Sequence, residues 1–116
     1  MNYDLEERTA KFGENIIWFV KELKSNDINR PLISQIVRSA TSIGANYMEA
    51  NGASSQKDFK NKIRLSLKES NETKHWLRMM AAANPDNANE LRKLWTEAHE
   101  LTLIFARIVK GCNLQN

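Results

Sequence analysis

The sequence predicts an all-α protein, an antiparallel up-down-up-down four-helix bundle, and three observations carry that prediction. Helix breakers are scarce, with 4 Gly and 2 Pro among 116 residues, and a chain with so little punctuation is mostly helix. Apolar residues recur at gaps of three and four along four long stretches, the spacing that lines one face of a helix. The breaks between those stretches are about four to seven residues, short enough to lay successive helices side by side and antiparallel. The length fits one domain covering residues 1–116.

The first helix is expected over residues 5–23, its stripe being Leu5, Thr9, Phe12, Ile16, Val20 and Leu23. Asp4 with Glu7 three residues on is a capping arrangement, Asp4 serving the free backbone amides of the first turn. Residues 24–30 are polar and break the chain, and Pro31 suits the opening turn of a second helix over residues 31–50. That helix has Leu32, Ile36, Ala40, Ile43 and Tyr47 on its stripe, and small Ala40 and Gly44, one turn apart, invite close approach of a neighbour. Gly52 is expected to end it in the left-handed conformation. Ser55 and Asp58 form the next cap, opening a third helix that runs to residue 83. Its stripe of Phe59, Ile63, Ser66, Ser70, Thr73, Leu77 and Met80 is polar in the middle. Asn84-Pro85-Asp86-Asn87 breaks the chain again. The fourth helix opens at Asn87 with Glu90, repeats Leu91, Leu94, Ala98, Leu101, Phe105 and Ile108, and ends near Gly111.

Composition excludes several classes of protein. A chain 41% hydrophobic and 27% charged is neither a disordered tail nor a fibre. The apolar run Ile16-Ile17-Trp18-Phe19-Val20 falls far short of the ~18 residues that a membrane span needs. Residues 1–10 carry acidic groups and no apolar core of a secretory signal. A lone cysteine, Cys112, forms no internal disulfide, so a cytoplasmic protein with no membrane partner is expected.

Charge is distributed unevenly. The net charge is +3, and the surplus lies in residues 55–78, where Lys57, Lys60, Lys62, Arg64, Lys68, Lys74 and Arg78 face only Asp58, Glu69 and Glu72. At about 100° per residue, Lys57, Lys60, Arg64, Lys68 and Arg78 share about a quarter of the helix circumference. The three acidic residues fall on the other flank of the core stripe. Such a stripe is a solvated face, a phosphate-binding surface, or a subunit seam where one chain's basic edge meets another's acidic edge.

Catalytic and metal-binding patterns fail on inspection. Glu72-x-x-His75 has the spacing of di-iron carboxylate bundles, but that site needs a second such pair. His99 has Thr96 three residues before it. Cys112 has no histidine in its sequence context to activate it, and there is no glycine-rich phosphate loop. No cofactor, no metal and no enzymatic activity are expected. On the second helix Arg38, Ser42, Asn46 and Glu49 line one side beside the apolar face. Glu69, Glu72 and the polar centre of helix three are natural partners for them, in a network that fixes register. Arg38 is a secondary candidate for contacting RNA. Trp18, Trp76 and Trp95 have the chemistry to stack on bases, although aromatics at helix or subunit seams are commoner.

Several stretches resemble one family. Asp4-Leu5-x-x-Arg8-Thr9-x-x-Phe12 is similar to its opening, and the run Gln35-Ile36-Val37-Arg38-Ser39-Ala40-Thr41-Ser42-Ile43-Gly44-Ala45-Asn46-Tyr47-Met48-Glu49-Ala50 to its central signature. Lys57-Asp58-Phe59 and Leu67-Lys68-Glu69-Ser70-Asn71-Glu72-Thr73-Lys74-His75-Trp76-Leu77 resemble its third-helix signature. The family is that of bacterial four-helix bundle proteins encoded in intervening sequences of large-subunit ribosomal RNA genes. The resemblance implies a ring-shaped homopentamer. A distant relative, the accessory variability determinant of diversity-generating retroelements, adds nucleic acid and a reverse transcriptase as partners by analogy. No catalytic residue comes with the resemblance, and His75 stands where the family often has an aromatic residue. The expected protein is a non-enzymatic homo-oligomer that binds RNA or DNA through Lys57, Lys60, Arg64, Lys68 and Arg78, with Arg38 assisting. The alternative is a protein–protein scaffold whose charged edges close the ring.

Overall fold

The computed structural model describes the backbone of residues 4–115 and the side chains of residues 4–111. Four helices follow one another: α1 (Leu5–Lys21), α2 (Asn29–Asn51), α3 (Gln56–Ala83) and α4 (Ala88–Gln115), with a single 3-10 turn at Pro85–Asn87 before α4. Among the described residues there is no strand, and no helix is long and apolar enough to cross a membrane. At 1.5 Å per residue a 28-residue helix is about 42 Å long, and α3 and α4 set the long axis of a body measuring 47 × 21 × 20 Å.

Side-chain contacts fix the direction of each helix. Ser39 meets Thr73, Ser66 meets the carbonyl of Ile43, and Lys62 meets Glu49. Rising numbers on α2 thus face falling numbers on α3. Ser70 with Thr102 and Lys74 with His99 do the same for α3 and α4. Gly13 beside Thr41 and Gly44 beside Thr9 complete the pattern for α1 and α2. The bundle is antiparallel throughout.

The core follows the stripes. Phe12, Ile16, Ile36, Ile43, Ile63, Leu77, Met80, Leu101 and Phe105 are excluded from solvent. The polar middle of α3 lies among them: Ser66, Ser70 and Thr73 are fully buried, and every one of their hydroxyls is hydrogen-bonded. Small hydroxyl residues let α2 and α4 approach α3 closely while meeting the requirement that buried polar atoms be paired. Close approach recurs at Gly44, where a Cβ would stand 3.2 Å from the Thr9 hydroxyl.

Both caps expected from the sequence form, Asp4 accepting from the Glu7 amide and Ser55 from the Asp58 amide. Four helix ends differ from expectation. α1 stops at Lys21 because Glu22 and Leu23 bond back three residues and tighten the last turn. α2 begins two residues before Pro31, because the Asn26 side chain accepts from the amides of Ile28 and Asn29 and takes over the capping role. Gly52 ends α2 at φ −96°, not in the left-handed region; its amide reaches the carbonyls of Met48 and Glu49 directly. α4 continues past Gly111 to Gln115, and the Cys112 side chain lies outside the described residues.

Candidate nucleic-acid interface

With Ile63, Ser66, Ser70, Thr73, Leu77 and Met80 turned to the core, helical geometry presents the basic stripe on the side of α3 away from it. Lys57, Arg64, Lys68 and Arg78 are exposed and Lys60 is half-buried. Asn71, His75 and Ala82 occupy the remaining outward positions of that quarter, so it contains no carboxylate.

On the acidic edge of α3, Glu69 and Glu72 face α2 and are engaged within the chain. Arg38 on α2 reaches Glu69 at 3.3 Å and also pairs with Glu72, which accepts in addition from the indole N–H of Trp76 at 3.3 Å. The hydrogen bond it donates to Glu72, then the charge of Glu69, raise the Arg38 pKa against some desolvation. Desolvation alone would raise the carboxyl of Glu72. The hydrogen bonds from Arg38 and Trp76, with the charges of Arg38 and Lys68, outweigh it and hold Glu72 below the usual carboxylate range. Arg38, grouped by sequence with the phosphate-binding residues, is thus bound to two carboxylates on the neighbouring helix. Glu72 and His75, despite their metal-like spacing, do not converge. Glu72 turns to Arg38, while His75 is exposed and edge-on to Trp76 at 5.0 Å. No cluster of three metal-ligating residues occurs among the described residues.

Other ion pairs hold the remaining seams. Lys62, one of the seven basic residues of its segment, lies 2.7 Å from Glu49, and that hydrogen bond raises its pKa. Arg8 crosses from α1 to α4 with both its Nε and a terminal nitrogen on Glu97, and it reaches Glu100 at 2.7 Å. The hydrogen bond with Glu97 is the largest influence raising its pKa. Nothing in the linear sequence pairs residues 89 positions apart; the one available signal is that Arg8 borders the Leu5-Thr9-Phe12 stripe and so stands at a seam.

Two surface features complete the picture. On the α4 side of α3, Lys74 contacts His99 and overhangs Trp95. Between α1 and α2 runs a mainly apolar groove of about 380 Å³ with Gly13, Gly44 and Ala45 along it, exposed Ile17 and Met48 beside it, and Glu6, Glu7 and Glu14 on its lip.

A family model for the 23S rRNA-intervening sequence protein matches residues 1–107. Among solved structures, the chain is similar to a protein of unknown function from the S23 ribosomal protein family of Bacteroides thetaiotaomicron. The two are 31% identical with a TM-score of 0.82, over 92% of this chain and 99% of that one. No curated protein matches.

Proposed function

The chain belongs to the 23S rRNA-intervening sequence protein family, and from that premise we propose that it is a non-enzymatic, cytoplasmic homo-oligomer, a pentameric ring, that binds RNA or DNA through the outer face of α3. The observation that carries this reading is the carboxylate-free quarter of α3, with Lys57, Arg64, Lys68 and Arg78 exposed and Lys60 beside them. Clustered cations attract a polyanion and release its condensed counterions. Phosphate contacts of that kind position a nucleic acid without reading bases, so sequence preference is weak. Arg38, paired with Glu69 and Glu72, serves mainly to lock α2 against α3.

One observation favours the scaffold reading. The α1–α2 groove has an apolar floor and an acidic lip of Glu6, Glu7 and Glu14, complementary in charge to the α3 stripe of a second copy. Because Glu69 and Glu72 are engaged internally, α1 supplies the carboxylates in such a contact.

Charge reversal separates the two readings. The double substitution K60E/R64E abolishes nucleic-acid binding and leaves the assembled mass unchanged if the stripe faces phosphate. It breaks the assembly if the stripe is a subunit seam. If both properties survive, neither assignment of these residues stands.

A further inference from the structure

The three tryptophans have different surroundings. Trp76 is half-buried and bonded to Glu72, and Trp18 has the ammonium of Lys11 5.5 Å from its ring centre. Trp95 is 39% exposed and stacked on His99, ring centres 4.9 Å apart and planes 15° from parallel. The Lys74 ammonium lies 5.4 Å from the same indole and donates to His99 Nδ1 at 3.1 Å. Because ammonium and imidazole touch each other, both sit to one side of the indole and stiffen it from there.

Ser70 with Thr102 and Lys74 with His99 set the register of α3 on α4, and one turn beyond Lys74 that register brings Arg78 level with Trp95. Arg78 is exposed and makes no ion pair among the described residues. An indole backed by a parallel imidazole, with the Lys74 ammonium beside it, combines a flat π-surface with phosphate-binding charge. We propose that Trp95, supported by His99 and flanked by Lys74, is a stacking platform for an unpaired base of a single-stranded nucleic acid. This deepens the nucleic-acid reading and rests on it. Every base offers a π-face, so the platform is indifferent to sequence, but bases inside a duplex are already stacked and do not reach it. The protein is therefore selective for single strands.

The test is a binding titration of wild type, W95A and W95F with short fluorescent oligothymidylate and oligoadenylate. An abasic oligomer of the same length and charge, and a duplex, serve as comparisons. W95A is expected to weaken binding of the base-bearing single strands by roughly 5- to 150-fold while binding the abasic strand and the duplex as wild type does; W95F retains most of the affinity. Equal single-strand affinity in W95A and wild type overturns the platform, as does an equal loss on the abasic strand. If the wild type binds the duplex and abasic strand while W95A changes nothing, only the platform falls. If it binds no nucleic acid at low salt, the nucleic-acid reading falls with it. A variant in which Trp18 and Trp76 are replaced by Phe gives a second readout that leaves Trp95 intact. Its emission is quenched by the single strand and not by the abasic oligomer, and quenching by neither contradicts the proposal.

Discussion

Arg38 on α2 holds two carboxylates of α3 at once, Glu69 and Glu72, and so ties the central signature of the sequence to the helix that carries the basic stripe. Glu72 is the more informative partner because its pKa is depressed. A carboxyl whose folded pKa lies below its unfolded value contributes stability that is fully present above the unfolded value and lost as pH falls through the folded one. Wild type is therefore expected to lose stability as pH drops below the ordinary 4.5, and E72Q to lose less over the same range in urea unfolding. Identical acid limbs for the two proteins would contradict this. At neutral pH the cost of R38A is modest, about 1 kcal/mol or less, because the guanidinium is half exposed and screened by water.

The buried hydroxyls of α3 lead to a second prediction. Ser70 donates to the Leu67 carbonyl and lies 2.9 Å from Thr102. Ser70→Ala leaves Thr102 the Ala98 carbonyl at 2.8 Å as an acceptor, so its cost is about 1 kcal/mol. Ser70→Leu looks favourable by apolar pattern, yet it forces a large side chain into a filled layer and costs about 1–3 kcal/mol. Urea midpoints for the pair check the order. A leucine variant more stable than the alanine variant would show that the layer has room.

A third prediction concerns one end of the bundle, where Asn29 and Asn84 exchange reciprocal amide hydrogen bonds at 3.1 and 3.0 Å. Asn29 is 2% exposed and also donates to the Lys24 carbonyl. It thereby pins the α1–α2 connection to the end of α3. Asn29→Ala takes the amide donor from Asn84 Oδ1 and from the Lys24 carbonyl and costs about 1–3 kcal/mol. Thermal unfolding measures it, and an unchanged midpoint would mean that water replaces the amide at no cost.

Much of this architecture is legible in the sequence because helix periodicity and capping are local signals. Phe12, Ile16, Ile36, Ile43, Ile63, Leu77 and Phe105 lie in the core where their spacing puts them. The polar centre of α3 is legible as an anomaly, and its explanation needed the facing hydroxyls of Ser39 and Thr102. Arg38 is recognisable as a network residue, with Glu69 and Glu72 as its natural partners, because its helix side faces theirs. Arg8 with Glu97, Asn29 with Asn84 and Lys74 with His99 are not legible, since each pair depends on how two distant helices align. The α2 start is missed for a local reason: Pro31 is a strong signal, but the Asn26 side chain satisfies the amides one turn earlier. Trp95 could not be told from Trp76 by spacing; only the stacked His99 distinguishes it.

Salt dependence gives a fourth prediction and the most direct test of the central claim, that the outer face of α3 binds nucleic-acid phosphate. The measurement is a titration of the wild-type protein with a labelled single-stranded RNA across a range of salt concentrations, its mass checked by light scattering at each. If Lys57, Lys60, Arg64, Lys68 and Arg78 of one chain each neutralise one phosphate of the single strand, log affinity falls against log salt with a slope of about −3.5. K60E/R64E abolishes the binding even at low salt. Wild-type protein that binds no RNA at low salt, or binds it with no salt dependence, would contradict the account.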